Sequence, residues 1–282
     1  MHEFENLAYL DLQKTGTTTI VSALRALLAE KEVYKDIHGP IPRKFDRKKN
    51  CFVSVREPLA AYISLFNYGV GSKRGTLFGN MFKKGLIHYY DPTLEAFECW
   101  LEYVLDPENA PVVSRLYSKS FPAGIAGLMT YRLLHLCIPK AQRRLRSCST
   151  RAALSGLFEQ KRVYSEYVRT EHLFDDLFHV LRQWEGQLRL KSPLTTVEDM
   201  ASSLRARNVS RKVAGVSPET VSPRLRQLVR EREWLIYREF GYDEDPKGKP
   251  TLCIRDPEKA GARRRRRADR RARRSAAAAD QD

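Results

Sequence analysis

The 282-residue chain has no apolar run approaching the roughly 18–20 residues that a bilayer-spanning helix needs. The nearest stretch, residues 121–139, is interrupted by Arg132 and His135 and reads as a core or interfacial helix. Cysteine is scarce: Cys51, Cys99, Cys137, Cys148 and Cys253 make an odd number, with no C-x-x-C pair. That argues against a disulfide framework and against a thiolate metal site. Free thiols in a reducing compartment are the plainer account. No charged segment followed by an apolar targeting segment precedes the first expected strand, so a cytoplasmic protein is expected. Also missing is G-x-x-x-x-G-K-[ST], the phosphate loop of the common nucleotide hydrolases.

What is present describes a globular protein. Hydrophobic residues make up 42% and aromatic residues 10% of the chain, enough to bury a core of single-domain size. The net charge of +16 suits anionic ligands, but it is unevenly spread. Residues 263–282 hold nine arginines against three aspartates, a net +6. The expected organisation is one domain over residues 1–257, followed by an Arg-rich tail over 258–282 that stays disordered in isolation. Such a tail solubilises the chain, or grips RNA, acidic lipid or another polyanion.

The chain is organised around residues 7–28, LAYLDLQKTGTTTIVSALRALL. Residues 7–12 read as a buried strand, apolar apart from Asp11. Residues 17–28 read as a helix with Ile20, Leu24, Leu27 and Leu28 on one face. Gly16 permits a tight turn between them. The amides after it have no intrahelical partner and, with the helix dipole, favour an anion. Lys14 adds a full charge, and the threonines add hydroxyls. A second junction follows. Residues 32–37 (EVYKDI) read as a strand ending in His38-Gly39-Pro40-Ile41-Pro42, and residues 51–55 (CFVSV) as a strand running into Arg56-Glu57-Pro58. Pro58 is suited to start a helix with Leu59, Tyr62, Ile63 and Phe66 inward. Strand, loop, helix, strand, helix is the order of an α/β protein with a central parallel sheet flanked by helices.

These two junctions carry a resemblance. Lys14-Thr15-Gly16-Thr17-Thr18 is similar to the 5′-phosphosulfate loop of the sulfotransferases, P-K-x-G-T-[ST], with Gln13 in place of the proline. Arg56-Glu57-Pro58, with Ser64 eight residues after the arginine, resembles the 3′-phosphate motif of the same family. Ala61 stands where the family often has a second arginine. Residues 167–177 (YVRTEHLFDDL) resemble the late strand–helix unit of bacterial and carbohydrate sulfotransferases. Residues 237–242 (YREFGY) resemble the ending of carbohydrate sulfotransferase domains. Residues 69–151 carry no assignable motif and are where acceptor recognition is expected.

The resemblance implies a fold like that of the P-loop hydrolases and, as donor, 3′-phosphoadenosine 5′-phosphosulfate. The sulfuryl group would pass to an acceptor hydroxyl or amine, expected on a carbohydrate or glycolipid. It makes Lys14, Thr15, Gly16, Thr17, Thr18 and Thr19 the 5′ site, with Lys14 neutralising the leaving phosphate. Arg56 and Ser64 become the 3′-phosphate site, joined by Arg211 or Lys212 from a closing loop at residues 208–215. No metal is needed and none is suggested by the ligands. The candidate general base is His38, whose loop lies on the same edge of the sheet as both anion loops. Glu171 reads as a loop-bracing carboxylate. Two other readings stand beside this one: a small-molecule or nucleoside kinase with a degenerate phosphate loop, and a polyanion- or RNA-binding protein led by the tail. No recognised RNA-binding motif accompanies the latter, so no specific nucleic acid is expected.

Overall fold

The structure is a computed structural model and describes residues 1–42, 44–194, 196, 213–244 and 247. It is an α/β protein built on one five-stranded mixed sheet. The strands are β1 (His2–Phe4), β2 (Leu7–Leu10), β3 (Glu32–Lys35), β4 (Asn50–Val55) and β5 (Glu166–Arg169), arranged in the order β3-β1-β2-β4-β5. Strands β2, β4 and β5 are parallel, with Leu10 level with Val53, and Val53 level with Tyr167.

The expected central parallel sheet is present over β2, β4 and β5, and β1 makes the whole sheet mixed. This strand pairs antiparallel with β2 on one side and β3 on the other. Three residues are too few to show an alternating pattern, but the Glu5-Asn6 turn folds them back onto β2 as a tight hairpin. Because β1 is antiparallel to both neighbours, β3 still runs in the direction of β2. Its carboxyl end therefore stays on the same edge as those of β2 and β4. The strand stops at Lys35, two residues short of the expected end.

Seven or more residues of helix occur in α1 (Thr17–Leu27), α2 (Pro58–Ser72), α3 (Thr76–Phe82), α4 (Leu94–Leu105), α5 (Leu128–Cys137), α6 (Arg151–Lys161), α7 (Leu173–Gln183), α8 (Pro223–Arg232) and α9 (Trp234–Phe240). Within residues 121–139, read from the sequence as one helix, the long helix begins only at Leu128. A separate turn at Pro122–Ile125 precedes it, and Gly127 donates its amide to Arg232 O at 2.6 Å instead of joining the two.

Two apolar layers cover the sheet. On one face Leu7, Tyr9, Phe52 and Val168 pack with Ile20 and Leu24 of α1 and with Leu177, Leu181 and Trp184 from α7 and its end. Leu10, Val53 and Val55 alternate to the other face and are equally buried, as a sheet covered on both sides requires. The second layer is aromatic: Phe66 meets Phe97 edge-on at 5.2 Å, and Tyr90 and Trp100 at 5.8 and 5.4 Å. Among the described residues no helix is long and apolar enough to cross a membrane.

Candidate functional site

The carboxyl ends of β2 and β4 lie side by side, and each delivers one cation. After β2 the chain makes two left-handed turns, at Lys14 (φ 70°) and Gly16 (φ 82°), before α1 begins. Thr15 between them is buried, and its hydroxyl donates to Leu12 O at 2.6 Å and meets the Ser54 hydroxyl of β4. The Thr15 hydroxyl thus holds the loop to the sheet. The first intrahelical bond of α1 is Ile20 N to Gly16 O at 3.0 Å, so the earlier amides have no acceptor within the helix. The Thr17 hydroxyl is buried beside the Tyr9 phenol without reaching hydrogen-bond geometry, while Thr18 is exposed and Thr19 half-buried. A side chain at Gly16 would be strained by its positive φ and would push on Leu173. A Cβ there would lie 2.8 Å from Leu173 Cδ1.

Lys14 lays its ammonium over the Tyr68 ring, 4.3 Å from the centroid. Burial, and then the nearby Arg56 charge, hold this amine below its usual range. Arg56 follows β4 directly and donates to Lys14 O at 3.5 Å. Burial pulls its guanidinium down, opposed by the charges of Glu171 and Glu57. Those two carboxylates are engaged elsewhere. Glu57 caps α2 by accepting from Ala60 N at 2.6 Å, and its other oxygen accepts from the Tyr237 phenol. Glu171 accepts from Glu57 N at 2.9 Å and from the Tyr242 phenol at 3.1 Å. Burial raises Glu171, and its two hydrogen bonds tie the end of β5 to the start of α2 and to the chain after α9. Neither Lys14 nor Arg56 has a carboxylate at ion-pair distance among the described residues. The site is half-buried, and its two cations make no direct ion pair among the described residues.

Ser64 stands half-buried on α2, one turn before Tyr68, so the second anion motif shares a helix with the ring that carries Lys14. One turn from Ser64, Asn67 accepts from Val213 N at 3.3 Å and ties a later part of the chain to the same helix. Arg211 and Lys212 lie outside the described residues.

His38 sits just past β3 in a left-handed conformation (φ 56°) that few non-glycine residues adopt. Asp11, buried at the end of β2, imposes it: both carboxylate oxygens accept from His38 N, at 3.2 and 3.0 Å. The ring Nδ1 lies 2.7 Å from the backbone oxygen of Asp11. A carbonyl can only accept, so Nδ1 carries the proton and Nε2 keeps the lone pair. The Asp11 carboxylate stands 3.3 Å from Nδ1, and the His38 side chain is 36% exposed. Asp11 also meets the Met1 amino group, and His2 Nε2 lies 3.7 Å away, with its Nδ1 bound to Glu32.

The structure thus brings the Lys14 loop, Arg56 and the Asp11–His38 pair to one edge of the sheet. The partners that sequence reasoning missed are Asp11, Tyr68, Tyr237 and Tyr242. Asp11 had left a signal, as the one charge in an apolar strand. The three tyrosines had not, because their contacts cross between distant elements. No family model, curated protein or solved structure matches this chain.

Proposed function

We propose that the chain is a sulfotransferase that uses 3′-phosphoadenosine 5′-phosphosulfate, with a fold of the P-loop-like sulfotransferase type. The observation that carries this reading is the pair Lys14 and Arg56: two half-buried cations, bridged through Lys14 O, at the ends of adjacent parallel strands and without a carboxylate at ion-pair distance among the described residues. Burying two like charges side by side without a direct ion pair is unfavourable in the empty protein. A ligand with two separated phosphates reverses that, and the Gly16 turn with its outward amides fits the close approach of one of them. In the reaction the donor supplies the sulfuryl group and departs with the electrons of the broken S–O bond as adenosine 3′,5′-bisphosphate.

On this reading Lys14 stabilises charge on the 5′-phosphate oxygens, helped by the amides of Gly16 to Thr19. Arg56 and Ser64 select the 3′-phosphate, with a planar guanidinium suited to two oxygens at once. His38 Nε2 takes the proton of the acceptor hydroxyl as its oxygen bonds to sulfur. Asp11 holds the ring in the required tautomer and faces the positive charge it acquires, an arrangement that recurs in unrelated enzymes. The acceptor class follows from the resemblance alone: a carbohydrate or glycolipid hydroxyl.

The test compares thermal stabilisation by adenosine 3′,5′-bisphosphate and by ADP in wild type, Lys14→Ala and Arg56→Ala. The two ligands share adenosine and two phosphates, so general attraction to a basic protein barely separates them. The expected result is a clear preference for the 3′,5′-bisphosphate that both variants lose. Preference for ADP supports a kinase instead, and no response to either removes the nucleotide site. A control is built in. Lys14 titrates below its ordinary value of 10.5 in the folded chain, so the folded state binds fewer protons there than the unfolded state. Stability from this group therefore rises with pH as it climbs toward that value. Lys14→Ala removes the slope and, without ligand, melts at or above wild type.

A further inference from the structure

Seven large apolar side chains stand mostly exposed among the described residues, and they are grouped. Val33, Tyr34 and Ile37 lie on the edge strand β3 and just past it. The other four are Phe82, Ile87, Leu116 and Phe121, exposed by 61%, 43%, 48% and 58%. They belong to two segments. One is the end of α3 and the chain just after it. The other is a series of short turns, Ala110–Val113, Arg115–Ser118 and Pro122–Ile125. The segments meet where Asn80 donates to Val113 O at 3.4 Å. Single exposed apolar residues are ordinary, whereas a group of them marks a surface that something covers.

Each segment is fixed from its inner side. Gly85, at φ 73°, donates to Phe82 O and Leu86 N donates to Met81 O, each at 3.0 Å. That pair of bonds is a Schellman ending, which closes α3 and leaves Phe82, Lys83, Lys84 and Ile87 around the turn. Behind them Met81 is buried, and Phe78 lies edge-on to Tyr90 at 4.9 Å and stacks on Phe82 at 6.3 Å. In the second segment Tyr117 points inward: its hydroxyl donates to Ala126 O at 2.7 Å, and Arg232 donates to Ala123 O at 2.6 Å. Arg115, Leu116, Lys119 and Phe121 are left outside.

The charge around these side chains has one sign. Residues 58–90 hold four lysines or arginines and no aspartate or glutamate, and residues 109–158 hold eight and none. Lys83 and Lys84 follow Phe82 directly, while Arg115 and Lys119 bracket Leu116, and all four are exposed. So are Lys73 and Arg74, just before α3. The acids that flank these stretches, Asp91, Asp106 and Glu108, stay outside both. Bulky apolar tips among cations fit an anionic bilayer, where the tips enter the acyl boundary and the cations meet lipid phosphates. Nucleic acid fits less well, because Ile87 and Leu116 offer no flat face on which a base could stack.

We propose that the end of α3 and the turns around Leu116 and Phe121 form a docking surface for an anionic phospholipid bilayer. The surface belongs to the folded body and not to the Arg-rich tail, and it does not rest on the sulfotransferase reading.

The experiment puts a reporter on the surface. Phe82→Trp and, separately, Phe121→Trp are made in the full chain. Their fluorescence is read with vesicles of phosphatidylcholine, alone or mixed with phosphatidylglycerol, after subtracting wild type. Trp100 and Trp184 are buried and Trp234 half-buried, so the added indole is the exposed one. Both reporters are expected to shift to shorter wavelength on the phosphatidylglycerol vesicles, and to be quenched by acyl-chain bromine. Neither responds to phosphatidylcholine alone. Adding Lys83→Glu and Lys84→Glu removes the shift at Phe82→Trp. Phe82→Ser with Ile87→Ser, at exposed positions, keeps the melting temperature and weakens sedimentation with these vesicles about tenfold. The proposal is overturned if vesicles bind while either reporter keeps its aqueous emission and the double serine variant binds as wild type does, which is binding through the tail. It is also overturned if no vesicle binds. A shift as large with single-stranded RNA overturns it in favour of a polyanion surface. A shift that grows with protein concentration alone overturns it in favour of a contact between copies.

Discussion

His38 shows how much of the chemistry one backbone conformation can settle. Its left-handed φ is maintained by two bonds from its own amide to the Asp11 carboxylate, while its ring is oriented by the backbone oxygen of the same residue. The two functions of Asp11 are therefore separable. Asp11→Asn leaves the backbone oxygen, and hence the tautomer, but removes the negative charge facing the imidazolium. His38→Ala is expected to lower kcat by about 10²–10⁴, the usual worth of a general base. Asp11→Asn should lower it by only about tenfold, because the lone pair on Nε2 remains available. Equal losses in the two variants would mean that Asp11 acts by holding the fold, which denaturant titration of Asp11→Asn would reveal as a matching loss of stability. Single-turnover sulfuryl transfer, measured once an acceptor is found, separates these cases. The role of Asp11 was legible in the sequence only as an oddity, one charge in an apolar strand. Its partner could not be read there, because β1 sets the spacing between β2 and β3.

At the scale of the elements, the anion loop depends on a contact between two strand–helix units. Leu173 opens α7, after β5, and its Cδ1 fills the space in front of Gly16. Gly16→Ala meets two obstacles there: a left-handed φ, which costs about 1–2 kcal/mol for a residue with a Cβ, and the 2.8 Å contact with Leu173. Loss of stability and of bisphosphate affinity together is the expected outcome. Leu173→Ala added to Gly16→Ala makes room but leaves the dihedral strained, so it restores part of the affinity at most. Full recovery in the double variant would show that the φ of Gly16 is unimportant. Both parallel junctions were readable because each strand ends at a glycine or proline that the local geometry requires: Gly16 for its positive φ, Pro58 for the start of α2. What periodicity cannot show is an element shorter than its period. The three residues of β1 were invisible for that reason, and so was the break at Gly127, whose amide leaves its own helix to bind Arg232 O.

Across the whole molecule, two sources of positive charge invite opposite accounts of what the protein holds. One is the pair of enclosed cations at the sheet edge, fixed in position and shielded from salt by burial. The other is the tail of nine arginines over residues 263–282, whose attraction for any polyanion needs no fixed geometry. Counterion release gives the second a steep salt dependence, and a site read through geometry has much less of one. Truncation after Pro257 separates them and keeps Lys247, whose backbone oxygen accepts from Arg169 at 3.3 Å. The truncated chain should bind adenosine 3′,5′-bisphosphate within about twofold of the full chain, since on this reading the tail supplies no contact to the nucleotide and a long-range Coulomb field is screened beyond about 10 Å at 0.1 M salt. Its affinity for a single-stranded RNA or heparin probe should fall, and the slope of log affinity against log salt should flatten. If the truncated chain instead loses the bisphosphate and keeps the RNA, the tail completes the nucleotide site and the body supplies the polyanion surface, the reverse division of labour.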